Sequence, residues 1–389
     1  MRGLLNLSHT TTGFVAVLAG YTSSVAIIFQ AALMVGASEA IISSWLWALG
    51  LGMGVTSIGL SLWFRAPVLT AWSTPGAALM VTGLADYTLA EAIGIFLFSS
   101  LLLTVVGLTG WFDRLMRHVP HCLAAAMLAG ILVPFGMKAF VSLESDAVLV
   151  GVMIAVYLGS RRWLPRYAVP LSLLAGGAIA FTDGQLHSNE INWALSTPIW
   201  TTPEFNFQAL IGVGVPLFIV TMASQNLPGI AVMRANGYQT PTSPVIATTG
   251  AAGLILAPFG GYTFNMAAIT AAICMGKEAG PDPAQRYWAA VWAGIFYLFT
   301  GLFGATVAGL LAAFPGELIL TIAGLALLAT IGNSLFEGLK DLSTREAALI
   351  TFLVTESGMT VGGVGSAFWG LVLGLIAYWV QPRLTGTTR

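Results

Sequence analysis

The chain has 389 residues, 57% of them hydrophobic and only 8% charged, with a mean hydropathy of +0.86, whereas soluble domains carry about 25% charged residues. That composition excludes a soluble globular protein and describes an all-α polytopic protein embedded in a lipid bilayer. The 15 basic and 16 acidic residues nearly cancel, which excludes a basic surface for nucleic acid.

Hydropathy divides the chain into about fourteen segments, at 14–35, 39–63, 67–83, 88–110, 119–138, 146–160, 167–182, 206–230, 242–257, 259–276, 285–312, 315–336, 345–357 and 361–380. Several fall short of the about 20 residues that a straight spanning helix needs. With 45 Gly and 17 Pro, the helices are expected to pack closely and to be interrupted often. The first residues lack a basic stretch, short apolar run and cleavage site, so they are read as retained sequence.

Segment one carries Tyr21, Thr22, Ser23, Ser24 and Gln30. Hydroxyls in membrane helices commonly bond back to their own backbone, so Tyr21 is the site candidate here. Segment three contains PVLTAWSTPGAALM, Pro67 to Met80. Val68 to Trp72 is β-branched and aromatic, and Thr74-Pro75 reads as an N-cap followed by proline at the first helical position. An extended stretch therefore gives way to a helix start inside the apolar layer. Backbone groups at that depth need partners from protein or from a water-filled cavity, and such broken elements point to transport sites. The alternative is a spanning helix kinked at Pro75.

Segment five opens at Pro120 and His121. Cys122 and Cys274 both lie in apolar runs and are read as reduced, buried thiols rather than a disulfide or metal site. A polar connection, Asp183 to Phe205, separates segments seven and eight. Segment eight holds the most polar intramembrane run, Thr221 to Gly229, in which Ser224, Gln225 and Asn226 are too costly to face lipid. Segment ten, from Pro258, passes through Tyr262, Thr263, Phe264 and Asn265 into an Ala-rich helix. The GGVGSAFWG stretch from Gly362 enters an apolar final segment without a preceding soluble strand, so helix packing explains it better than nucleotide binding.

Placing the N-terminus in the cytoplasm and alternating sides puts 14 of the 15 basic residues inside: Arg2, Arg65, Arg114, Arg117, Arg161, Arg162, Arg166, Arg234, Lys277, Arg286, Lys340, Arg345, Arg383 and Arg389. Only Lys138 falls outside, where Asp86, Glu144, Asp146, Asp183, Glu190 and Glu204 collect. This is the positive-inside pattern, and it gives both termini to the cytoplasm. The long connection then divides two halves of seven segments, residues 1–183 and 206–389 joined by 184–205, which enter the membrane in opposite senses as an inverted repeat. Two echoes at the seven-segment offset agree. Pro120, Leu123 and Ala129-Gly130 recur as Pro315, Leu318 and Ala323-Gly324, and segment three has its partner in segment ten.

Half-helices starting near Thr74-Pro75 and Thr263–Asn265 would oppose each other near mid-membrane and present free N–H groups with partial positive charge. Two such ends make an anion site without buried Arg or Lys. The side chains around them, Trp72, Ser73 and Thr74 against Tyr262, Thr263, Phe264 and Asn265, suit an aromatic ring bearing a carboxylate; ordinary packing is the alternative for each ring. For a proton the candidates are His121, whose residue type titrates near neutrality, and Glu317. Glu39, Glu91, Glu337 and Glu356, like Glu317, stand at segment ends where a solvated end residue is the ordinary reading. Alternatively the substrate's own carboxylate carries the proton. No HExxH, GxxxxGK[ST] or paired intramembrane Asp is present, so neither an enzyme nor a cofactor site is expected.

At TAWSTPGAAL (70–79), PRYAV (165–169), VTMASQNLPGIAVMRANGY (220–238), AAITAAI (267–273) and GSAFWGL (365–371) the chain resembles the bacterial benzoate transporter family along essentially its whole length. The resemblance implies a benzoate:proton symporter of the inner membrane, similar in architecture to nucleobase and sulfate transporters. It further implies a core domain from segments one to four and eight to eleven, a gate domain from five to seven and twelve to fourteen, and a homodimer. It places Trp72, Ser73, Thr74, Tyr262 and Thr263 at the substrate. In nucleobase carriers the turns of segments eight and ten carry carboxylates; here Ser224, Gln225, Asn226 and Tyr262 stand instead, which suits an anion and leaves the proton site unassigned. The competing readings are a carrier of a neutral nucleobase or of another anion, and a passive channel.

Overall fold

The computed structural model describes residues 6–22, 24–112, 114, 120–186 and 193–380. Arg2, Arg117, Glu190, Arg383 and Arg389, used above for orientation, lie outside the described residues. So does Ser23.

The described chain is almost wholly helical. α1 (Leu7–Thr22) and α2 (Val25–Met34) form one broken rod, and α3 follows as Glu39–Phe64. α3 stops at Arg65, which takes a left-handed φ of 49° and turns the chain back along the helix. Strand β1 (Thr70–Trp72) then leads into α4 (Thr74–Gly83). α5 (Leu89–Thr109) starts with a reciprocal capping box between Thr88 and Glu91 and ends at Gly110, φ 69°. Next come α6 (His121–Val141), α7 (Ala147–Trp163) and α8 (Ala168–Thr182). The Gln185 side chain and the Leu149 amide both donate to Asp146 at the start of α7, holding its carboxyl below the ordinary range.

The connection at 193–205 is extended and tied down along its length. Ser196 N donates to Leu302 O at 2.8 Å, Ile199 N to Ser44 Oγ at 2.8 Å, Thr201 N to Pro258 O at 2.8 Å and Glu204 N to Ala90 O at 3.0 Å. α9 (Phe207–Ala235) follows, with wide π turns at Leu210–Gly214 and Met222–Asn226. Each π turn immediately precedes a proline at the second position of the next helical run, Pro216 and Pro228. A proline removes the i→i−4 bond and crowds that carbonyl, and a widened turn relieves both. α10 (Thr242–Leu256), strand β2 (Phe264–Met266), α11 (Ile269–Met275), α12 (Tyr287–Leu302), α13 (Gly304–Ala313), α14 (Gly316–Leu339), α15 (Arg345–Glu356) and α16 (Ser366–Val380) complete the chain.

Among the described residues seven helices are long and apolar enough to cross a membrane, and α12 and α13, bent by 65°, reach that length and hydropathy only when counted together. α8 and α16 are shorter apolar helices. Two packing groups are evident. α3 packs on α12 and α5 on α10, while α1 lies against α11 and α12; separately, α6 packs on α14 and α15, α15 on α16, and α7 on α8 and α14. Pro120 and Pro315, paired in the sequence echo, occupy the N-cap positions of α6 and α14.

β1 and β2 pair antiparallel, with Thr70 opposite Met266, Ala71 opposite Asn265 and Trp72 opposite Phe264. Ser73 N to Thr263 O and Ala267 N to Leu69 O extend the ladder at both ends. The two extended stretches therefore satisfy one another's backbone. α3 supplies the rest: Ser61 Oγ donates to Val68 O at 3.0 Å, Thr70 N donates to Ser57 Oγ at 3.0 Å, and Thr70 Oγ1 lies 2.7 and 2.8 Å from Thr56 Oγ1 and Ser57 Oγ. Buried polar backbone is tolerable in an apolar layer on this condition. Gly52 of α3 makes room for the strand pair, since a Cβ there would come within 2.2 Å of the Phe264 ring.

Two expected positions shift. Ser73 rather than Thr74 is the N-cap of α4, its Oγ accepting from Gly76 N at 3.1 Å, which makes Thr74 the first helical residue and Pro75 the second. The second half-helix begins at Ile269 and not near Thr263–Asn265, because those residues are held extended by the pairing with β1.

Candidate functional site

A cavity of about 380 Å³ lies where the two packing groups meet, within the about 300–1,000 Å³ usual for small-molecule sites. One wall comes from the break between α1 and α2, from β1 and the start of α4, from the π turn of α9, and from Ala267 to Thr270, which lead from β2 into α11. The other comes from α6 and α14.

Thr74, Gln225 and Ser224 expose polar side chains to this space. Ser224 Oγ turns back to its own helix at Val220 O. The Thr74 hydroxyl and the Gln225 carboxamide make no hydrogen bond to the described residues and remain available to a ligand. In the first turn of α4, Pro75 has no N–H and the Gly76 N–H is taken by Ser73. The polarisation that the turn offers a ligand therefore falls to Thr74. Among the described residues, no Lys or Arg lines the cavity.

Trp72 reaches the cavity with little exposed surface, 4%. Its indole N–H donates to Ser24 Oγ at 2.8 Å, and its ring leans on Tyr21 with centroids 5.1 Å apart. Ser24 in turn donates to Gly20 O at 2.9 Å, so the helix break after Thr22 and β1 are locked together through one hydroxyl. Ser73 is wholly buried; besides capping α4 it accepts from Thr221 Oγ1 at 2.9 Å, which ties α4 to α9. Asn226 is likewise structural in its bonds, accepting from Met266 N at 2.9 Å and donating to Met222 Sδ.

The remaining sequence candidates back the cavity instead of lining it. Tyr21, Tyr262, Thr263, Phe264 and Asn265 are buried, with Tyr262 stacked toward Phe96 at 5.8 Å and Phe264 seated on Gly52. The hydroxyls of Tyr21, Tyr262 and Thr263 and both side-chain polar atoms of Asn265 find no hydrogen-bond partner among the described residues. The aromatic sandwich expected around a ring is not formed; Trp72 and Tyr297 are the aromatic residues that line the cavity.

His121 and Glu317 part company. His121, the first residue of α6, lines the cavity, and its Nδ1 lies 3.7 Å from Glu337 Oε2. Glu317 sits in the first turn of α14, more than 20 residues from the His121 end of that helix, and does not line the cavity. Glu337 does, and it also accepts from Lys340 Nζ at 2.6 Å. Sequence reasoning set Glu337 aside as an end residue; the available signal was the polar spacing Thr330, Asn333, Ser334, Glu337 on one face of an otherwise apolar segment. Cys122 and Cys274 are both free thiols, the second fully buried.

A family model for the benzoate membrane transport protein matches residues 3–380. The chain belongs to the benzoate membrane transport protein family. It is 53% identical to the inner membrane protein YdcO of Escherichia coli (strain K12) over 377 residues, covering 97% of this chain and 96% of that protein. It is 39% identical to a benzoate membrane transport protein of Acinetobacter baylyi over 375 residues, or 96% and 95% of the two chains. In fold it resembles the transmembrane domain of the cyanobacterial bicarbonate transporter BicA, with a TM-score of 0.58 at 15% identity over 96% of this chain and 97% of that one. It also resembles the inward-facing murine anion transporter Slc26a9, with a TM-score of 0.58 at 12% identity over 95% and 68% of the two chains. The protein is thus a multi-pass membrane transporter, of a family of transporters and not of enzymes, with the fold of this anion-transporter group.

Proposed function

We propose that this transporter imports benzoate or a related small aromatic carboxylate together with a proton across the bacterial inner membrane. The observation that carries the proposal is the cavity itself: a largely apolar space whose unpartnered polar groups, Thr74 and Gln225, sit beside the start of a half-helix, with no Lys or Arg among the described residues that line it. A helix start favours a carboxylate, and the apolar remainder favours a ring. Membership of the benzoate family supports the same substrate class.

In this reading all fourteen segments traverse or enter the bilayer as two inverted sets of seven, with both termini in the cytoplasm. α4 and α11 are the half-helices of segments three and ten. The group containing α1–α5 and α9–α13 forms the core, and the group containing α6–α8 and α14–α16 forms the gate against which it rocks. Tyr21, Ser73, Asn226, Tyr262, Thr263, Phe264 and Asn265 then hold the half-helices in place, while Trp72, Thr74, Ser224 and Gln225 build the surface the substrate meets. His121 with Glu337 is the proton-responsive element, since apart from Tyr297 these are the ionisable groups lining the cavity. The protein works as a homodimer, with no cofactor.

Competition for labelled benzoate binding to the purified protein tests the substrate class. Other aromatic carboxylates displace the label and benzamide, isosteric but uncharged, does not; equal displacement by benzamide removes the anion site.

A further inference from the structure

We propose that the wall which reads the substrate's ring is built by the gate helices α6 and α14, with Leu128, Ala326 and Leu327 as its specificity-determining residues. The proposal rests on the aromatic-carboxylate reading above. From the mouth inward, the residues by which α14 lines the cavity are Glu337, Ser334, Asn333, Thr330, Leu327 and Ala326. Polarity is lost completely over about 16 Å of helix at 1.5 Å per residue.

α6 runs antiparallel to α14. His121 lies beside Glu337, Ala126 against Gly338, and Phe135 and Ala139 against Gly324. Its own lining residues show the same gradient, from His121 through Ala124 and Ala125 to Leu128. The deep part of the gate-side wall is therefore aliphatic, made of Leu128 from α6 and of Leu327 and Ala326 from α14. The core-side wall carries the free hydroxyl of Thr74 and the free carboxamide of Gln225.

One ligand orientation satisfies both walls, with the carboxylate on Thr74 and Gln225 and the ring on Leu128, Ala326 and Leu327. The reverse orientation would strand a carboxylate against leucines, and an unpaired buried charge is strongly unfavourable. The aromatic residues at and just before β2 do not take over the ring-binding role, because Phe264 and Tyr262 are wholly buried. Ring size is accordingly read by the helices that must slide past the core, and an oversized ring fails by holding the two layers apart.

The test is competition of labelled benzoate binding by 2-naphthoate and by 4-substituted benzoates, on purified wild type and on Leu327→Ala, Leu128→Ala and Ala326→Val. Removing or adding a few methylenes in an apolar pocket changes discrimination by about ten- to a hundredfold. Leu327→Ala and Leu128→Ala should raise the affinity for 2-naphthoate relative to benzoate by about tenfold, and Ala326→Val should weaken 4-substituted benzoates by more than it weakens benzoate. The ratio of affinities does not respond to a general loss of stability or expression. Ratios unchanged in all three variants overturn the wall and leave the substrate class standing. Failure of wild type to bind any of these acids overturns the substrate class and the wall with it.

Discussion

Ser73 and Thr74 are adjacent, and the structure gives them different work. Ser73 accepts from Gly76 N and from Thr221 Oγ1, so Ser73→Ala removes a helix cap at a cost of about 1 kcal/mol and lowers the melting temperature of the purified protein. Thr74 makes no such bonds, so Thr74→Val should leave the melting temperature alone while weakening benzoate binding about tenfold, the worth of roughly one hydrogen bond to a charged group. A melting temperature lowered equally by both would deny Thr74 its separate role. His121→Gln is expected to flatten the pH dependence of transport, since the His121 ring lies 3.7 Å from Glu337 at the cavity; an unaltered profile would exclude this imidazole. The polar run of segment eight and the hydroxyls at 73–74 were legible in the sequence because polar groups in an apolar segment need a reason. Which of them face the cavity was not legible, because Gln225 and Asn226 differ by a single helical step. That step sends one side chain into the cavity and the other to the Met266 amide.

At the scale of elements, the extended stretch before α4 could be read from its β-branched and aromatic residues and from Pro75. Its pairing with residues 264–266 could not, since nothing local in either stretch specifies a partner almost 200 residues away. That pairing displaces the start of the second half-helix to Ile269. α3 contributes as much to the strand pair as the strands do to each other. Ser57→Ala would leave the buried Thr70 N–H without its acceptor, a loss of about 1–3 kcal/mol that should appear as a lower melting temperature. It should also weaken benzoate binding, although residue 57 lies outside the cavity. Unchanged stability in Ser57→Ala would mean that the strand pair holds without α3. The π turn at Met222–Asn226 is the backbone's answer to Pro228, which follows it by two residues.

Across the whole molecule, the two packing groups meet at the cavity, and each is built from helices of both halves of the chain. α3 lies on α12, α5 on α10 and α6 on α14, so the two halves are joined directly. Hydropathy located most of the apolar helices, while the orientation expected from fourteen basic residues on one side rests on the positive-inside pattern. The cavity was not readable, because it is a space between groups rather than a property of any one segment. Cysteines placed one at a time at 138 and at 161 should be labelled from opposite faces of the membrane; labelling from the same face would break the alternation on which the inverted arrangement depends. The most direct measurement is uptake of labelled benzoate into proteoliposomes with and without an inward proton gradient. Proton-coupled import predicts accumulation above the equilibrium level only with the gradient, and its collapse on adding a protonophore. Uptake that merely equilibrates and ignores the gradient would contradict it.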